Sequence, residues 1–403
     1  MDVPIADWLS LILRWLHIIF GAAWIGTSFY FNWLNNHVRP VEDGEAREGV
    51  AGELWSIHGG KFYQVVKYGV APPRLPKTLH WFKYEAYFTW VTGFFLLAIV
   101  YYLEPSAYLV DANVRVLHGL FPAEWVEIGA VAIGVVTLIA GWVVYDLLCK
   151  SPLARVPVVF AIVGFALMTG VAFGLTQLFG SRAAYIHVGA LIGTIMAWNV
   201  FYVIIPNQKR VVAAMTEGKD PDPRLGEAGA LRSLHNNYFT LPVLFIMVSN
   251  HYPMTFGHAW NWAILAAISL IGAGVRHWFN LHGQGRKNAW LLPAAAVAMV
   301  ALALVSSPQS AADYEGEVTF AMVRDIVDRR CIECHSATPT SELYDVAPQG
   351  VMFDTPQQIA DRASRINTQV VVTQQMPLSN LTDMTDEERA IFAAWYRRGA
   401  PTE

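Results

Sequence analysis

Long apolar stretches recur through the first three quarters of this sequence, and they constrain it more than any other feature. Near residues 8–33, 84–103, 125–148, 156–179, 183–206, 237–253, 258–278 and 288–306 the chain is apolar for long enough to cross a hydrocarbon core, which takes about 20 residues of helix. Helices satisfy their own backbone inside lipid. The expected fold class is therefore all-α: a polytopic membrane bundle of eight transmembrane helices. Composition agrees, with 54% of the 403 residues hydrophobic and 15% charged, against roughly 25% charged in soluble domains. The first stretch starts Met-Asp-Val-Pro, lacks a basic leader and is too long for the apolar segment of a cleaved signal peptide. Pro242 and Asn250 interrupt the sixth stretch and make it the least regular. No lysine- or arginine-rich block is present, so nucleic acid is not an expected partner.

The basic residues set an orientation. Seventeen Lys and Arg fall in the loops 34–83, 149–155 and 207–236 and the region 276–287, Arg47 among them, whereas the opposite loops carry Arg115 and Arg182. By the positive-inside rule the N-terminus and everything after residue 306 lie outside the cytoplasm. A Ser/Pro/Gln-rich linker is expected over 307–316. From 317 to 403 the charge density becomes that of a small soluble domain. Within it Thr385-Asp386-Glu387-Glu388 reads as a capping box opening a last helix that stops near Gly399. The expected domains are thus a 1–306 transmembrane catalytic domain, the linker, and a 317–403 domain outside the cytoplasm.

Cys331-Ile332-Glu333-Cys334-His335 is a C-x-x-C-H run, the attachment motif of a c-type haem. Two thiols at this spacing can add to the two vinyl groups of one porphyrin, and the adjacent His can bind the iron. Met376, in Gln-Met-Pro-Leu, is the first candidate for the sixth ligand, with Met352 and Met384 as rivals. A zinc site would need two more soft ligands nearby, and this region has no third Cys and no second His. The expectation is a class I-like cytochrome c domain with one covalent haem c on Cys331, Cys334, His335 and Met376. Haem attachment and the charge pattern independently put it outside the cytoplasm. Cys149 is expected to be an inert thiol.

Ionisable groups inside a membrane span mark a functional hypothesis. Arg14, His17, Gly21, Trp24 and Ser28 step by three and four along the first helix and share a stripe, which is expected to face the bundle interior or a water-filled cavity. Arg14, His17, Trp24 and His187 are the catalytic candidates. His235, Asn236, Asn237 and Glu85 are candidate substrate contacts within a second polar group that also includes His80, Lys83, Arg276 and His277. His17 with His187 is the one pair that roughly fits a bis-histidine haem b. Gly189 and Gly193 offer a small-residue packing face.

Leu13-Arg14-Trp15-Leu16-His17, Ala23-Trp24-Ile25-Gly26 and the run from His235-Asn236-Asn237-Tyr238-Phe239-Thr240 to Phe245 resemble the bacterial membrane-bound, cytochrome c-linked urate oxidases (urate hydroxylases). The resemblance covers nearly the whole chain, including the order of an eight-span domain before one C-x-x-C-H. It implies an oxidoreductase of purine catabolism in the bacterial inner membrane that converts urate to 5-hydroxyisourate. Electrons would pass through haem c to a soluble cytochrome c or another respiratory acceptor, without forming hydrogen peroxide. The residue types suit a flat anion with amide-like edges: a cation, hydrogen-bonding side chains and an aromatic face. His17 could take the released proton. The competing readings are a quinol- or dehydrogenase-linked electron-transfer subunit and a transporter with a tethered cytochrome.

Overall fold

The computed structural model describes residues 5–41, 48–69, 72, 74–111, 115–306, 314 and 316–402. Arg47 and all of the 307–316 linker except Tyr314 and Gly316 lie outside the described residues, as does the side chain of Arg115.

Each of the eight apolar stretches forms a helix: α1 (Ile5–His37), α2 (Tyr84–Leu97), α3 (Val126–Lys150), α4 (Pro157–Thr176), α5 (Ser181–Trp198), α6 (Pro223–Ser249), α7 (Asn261–Gly283) and α8 (Leu291–Val305). Wide π-helical turns extend α2 through Ala98–Tyr102 and α5 through Asn199–Ile204, where a further helix, Ile205–Thr216, continues the line. Among the described residues six helices are long and apolar enough to cross a membrane. Six of the expected eight meet this measure, and α6 and α8 do not. Helix α6 falls short because its first half carries Arg224, Glu227 and Arg232, and α8 because it has 15 residues. The predominantly helical class holds. The sequence reading missed an antiparallel hairpin between α1 and α2, formed by β1 (Val50–His58) and β2 (Lys61–Tyr68). Its turn, Gly59-Gly60, has φ of 58° and 73°, the left-handed backbone that a two-residue hairpin loop requires.

Helix α5 is the axis of the bundle. It packs on α2, α3, α4 and α6, so it is buried around most of its circumference. Gly189 allows this: a Cβ there would lie 2.5 Å from Ile246 Cγ2 on α6. Gly193, the other half of the expected small-residue face, has nothing within 4 Å. The peripheral helices keep large apolar side chains exposed, including Trp8, Trp15 and Ile18 on α1 and Leu304 and Val305 on α8. Burying such surface is worth about 25 cal/mol per Å², so these faces suit a hydrocarbon surround.

A second hydrophobic core forms C-terminal to α8. Helices α9 (Phe320–Arg330) and α10 (Asp386–Arg397) enclose Val323, Ile326, Ile359, Phe392 and Trp395. The capping box is present: Thr385 Oγ1 accepts from the Glu388 N–H at 3.2 Å, and Glu388 Oε2 accepts from the Thr385 N–H at 2.8 Å. Gly399, at φ 86°, follows the helix end. This core rests on one end of the bundle, where the short helix Pro105–Tyr108 packs on Leu378–Asn380 and the Tyr108 and Tyr344 hydroxyls meet at 3.0 Å. We call this end proximal, and the end bearing the hairpin distal.

Candidate functional site

The α1 stripe does not converge on one site. Arg14 is exposed, so of its two expected settings the packed interior is not the one it takes. One turn further on, His17 turns to α2, where Nδ1 donates to the Thr89 carbonyl at 2.9 Å and lies 3.3 Å from Thr92 Oγ1. Gly93 makes room for the ring, since a Cβ there would stand 2.8 Å from His17 Cε1. With Nδ1 committed, Nε2 keeps a free lone pair. Trp24 is half-buried and packs against the apolar core.

His187 is fully buried. Its Nδ1 donates to the Ala183 carbonyl at 2.8 Å and its Nε2 accepts from the Tyr102 hydroxyl at 3.0 Å. Phe179, Tyr101 and Tyr102 surround the ring. No nitrogen is left for iron, so the His17–His187 pair does not fit a bis-histidine haem b.

Two polar clusters lie nearer the distal end, and they are satisfied to different degrees. The first joins α3, α5 and α6. Arg232 pairs with Asp146 at 2.6 Å, both side chains being at most 9% exposed, and Lys150 adds a second ion pair to Asp146 at 2.5 Å. Arg232 also donates to Asn199 Oδ1 at 3.2 Å. Asn199 Nδ2 donates to the Tyr145 hydroxyl and to Asn236 Oδ1, and Asn236 Nδ2 donates to the Met196 carbonyl at 3.0 Å. Tyr145 in turn donates to His235 Nδ1 at 2.9 Å, and His235 stacks on Phe160. Asn236 commits both atoms of its amide to this network, whereas His235 commits Nδ1 alone.

The second cluster joins α1, α6 and α7. Arg276, 7% exposed, donates from Nε to Asn237 Oδ1 and from Nη2 to Asn32 Oδ1 at 3.2 Å. Its guanidinium lies 4.3 Å over the Phe29 ring. No carboxylate pairs with it among the described residues. Asn237 Nδ2 and both amide atoms of Asn280 are buried without a hydrogen-bond partner. Glu85 is half-buried one turn into α2, its carbonyl accepting from Thr89, and its carboxylate bonds to neither cluster. Asn280 and Asp146 escaped the sequence reading. Asn280 sits four residues after Arg276, on the same helical face, which was the available signal. An open cleft of about 530 Å³ beside Leu79, His80, Trp81 and Gln208 belongs to neither cluster.

In the C-terminal unit, His335 Nδ1 donates to the Val351 carbonyl at 2.9 Å. That bond fixes the tautomer and leaves Nε2 for a metal. Burial holds His335 below its ordinary value, against the Val351 bond, so the ring is neutral as a ligand must be. Burial pushes the Cys331 thiol up to about 12. Met376 is half-buried against this core, and its backbone is pinned on both sides: its N–H donates to the Gln369 carbonyl at 3.0 Å, and its carbonyl accepts from Arg389 at 2.9 Å. Met384 is 4% exposed inside the core. Cys331, Cys334, His335 and Met376 could hold a haem. Among the described residues no group of three His, Cys, Asp or Glu is arranged as a metal site.

Fold and site together define a mostly helical protein of the membrane-spanning type, with a buried cationic cluster in its bundle and a small appended helical unit. A family model described as urate oxidase N-terminal matches residues 3–307, and the chain belongs to that family. The match makes the chain a urate oxidase-related oxidoreductase and ends where the appended unit begins. Comparison with curated proteins and with solved structures gives no match.

Proposed function

We propose that this protein oxidises urate to 5-hydroxyisourate in its helical bundle and passes the electrons to a haem c on the C-terminal unit. The observation that carries this reading is the family match over 3–307 followed by Cys331-Ile332-Glu333-Cys334-His335 in the rest of the chain. The proposed division is a 1–306 membrane domain crossing eight times, with α6 and α8 as the two less apolar or shorter spans, the 307–316 linker, and a 317–403 cytochrome c domain. The basic loops orient the N-terminus and the cytochrome domain to the periplasmic side of a bacterial inner membrane.

The reaction balances as urate plus water giving 5-hydroxyisourate, two electrons and two protons. A covalently attached haem supplies a one-electron acceptor at the C-terminal unit. Cys331 and Cys334 would tether it, and His335 Nε2 and the Met376 thioether, on its pinned backbone, would bind the iron. In the bundle, His17 keeps Nε2 uncommitted and is the candidate carrier for released protons. The electrons leave towards a soluble cytochrome c or another respiratory acceptor rather than to oxygen, so no hydrogen peroxide forms.

The test is an anaerobic visible spectrum of the purified protein before and after urate. Growth of a reduced c-type band is expected. If dithionite reduces the protein and urate does not, the urate reading falls and quinol becomes the next donor to try.

A further inference from the structure

The cluster around Arg276 is built like a binding seat missing its ligand. A buried guanidinium without a carboxylate is costly, and buried amides without partners add to that cost. The same bundle contains the solved version of this problem: Arg232 has Asp146, Asn199 and the network behind them. Arg276 has two amide oxygens and the Phe29 ring, and around it Asn237 Nδ2 and both atoms of the Asn280 amide are unpartnered. Asn237, Arg276 and Asn280 are 2%, 7% and 6% exposed, so bulk water does not supply what is missing. Snorkelling does not explain Arg276 either, because a snorkelling side chain keeps its charged head in water.

We propose that Arg276, Asn237 and Asn280 form the seat of a flat organic anion whose edge alternates carbonyl and N–H groups. The open valences specify this class. The guanidinium fork calls for negative charge in one plane. Asn237 Nδ2 calls for an acceptor. Asn280 offers a donor and an acceptor together, so its partner must carry both. A chloride ion would answer the arginine and leave the Asn280 oxygen unpaired. The Phe29 ring on α1 lies 4.3 Å from the guanidinium and the Phe279 ring on α7 lies 6.0 Å from it, so aromatic faces flank the seat. This inference rests on the urate reading above and locates the substrate of that reaction: urate belongs to the class. It also moves the substrate away from the α1 stripe and removes His17 as a direct proton acceptor, since Asn32 stands 15 residues beyond His17 on one helix, about 22 Å of rise.

Equilibrium dialysis of the full-length protein in detergent tests the seat, with urate against hypoxanthine, a purine of similar shape that is neutral at pH 7. The wild type is expected to prefer urate. Arg276→Gln is expected to weaken urate at least about tenfold, the size of one charge-assisted hydrogen bond, and to abolish the preference. Asn280→Leu is expected to weaken both purines. Arg276→Lys keeps the charge without the fork and provides a second variant should Arg276→Gln fold poorly. The thermal midpoint of the substrate-free protein in detergent, expected to be unchanged or raised, reports folding of the bundle. Variants that fold and bind urate as the wild type does overturn the seat and leave the urate reading standing. A wild-type protein that binds no urate overturns both.

Discussion

Two buried arginines in one bundle are held in opposite ways, and the difference separates a structural residue from a binding one. Arg232 is matched to Asp146 at 2.6 Å and through Asn199 to the Tyr145–His235 pair. Removing the carboxylate charge strands a buried cation, which typically costs about 3–5 kcal/mol. Asp146→Asn should therefore lower the thermal midpoint of the detergent-solubilised protein by many degrees. Arg276 has no such match, so its removal relieves a cost rather than creating one. In ligand-free protein Arg276→Gln should leave the midpoint unchanged or raise it. Paired melting curves decide the matter: if the two variants shift the midpoint alike, both clusters are structural. Sequence could name Arg276 and Asn237, because polar residues stand out in apolar stretches. It could not rank them against His235 and Asn236, because the ranking depends on which partners arrive from α3 and α5.

At the scale of elements, what could be read locally was read well. Each apolar stretch is a helix, because length and apolarity suffice to specify one in lipid. The Thr385–Glu388 box is a local pattern, and it forms with both of its hydrogen bonds. Its loss should cost the C-terminal unit about 1 kcal/mol: Thr385→Ala should lower the melting midpoint of the α9–α10 core by a few degrees, read from the temperature dependence of amide hydrogen exchange in α9 and α10. An unaltered midpoint would mean that tertiary packing alone sets the start of α10. The failures fall where a neighbour decides. The Arg14 stripe had the right spacing, yet α2 receives His17 at Gly93 and leaves Arg14 exposed one turn away. Gly189 and Gly193 look equivalent in sequence, but Ile246 reaches only the first. The β1–β2 hairpin was legible in Gly59-Gly60 between alternating runs. It was missed because that loop was read for its charge.

The two hydrophobic cores meet at a narrow contact, and the proposed chemistry depends on it. The polar layer at Asn236 and Met196 lies nine residues along α5 from His187, about 13 Å of rise. From His187 the aromatic groups continue outward: Tyr101 at 6.2 Å between ring centroids, Tyr108 at a further 6.4 Å, and then the hydroxyl contact with Tyr344 in the C-terminal unit. Arg182 lies over both Tyr101 and Tyr108 and fixes their faces. This contact is one described crossing for an electron leaving the bundle for the C-terminal unit, and electron transfer weakens steeply with distance. Gly257 lets the two bodies close, because a Cβ there would stand 2.5 Å from the Thr373 carbonyl oxygen. Gly257→Val should therefore push the C-terminal unit off the proximal end, with a second close approach to the Pro253 carbonyl oxygen at 2.9 Å on the bundle side. Dithionite should still reduce the haem in that variant, urate should bind as before, and urate-driven reduction should slow sharply in anaerobic stopped flow. Unchanged urate-driven reduction would show that electrons do not need this docked arrangement, and would shift attention to transfer between separate molecules, which protein dilution would reveal.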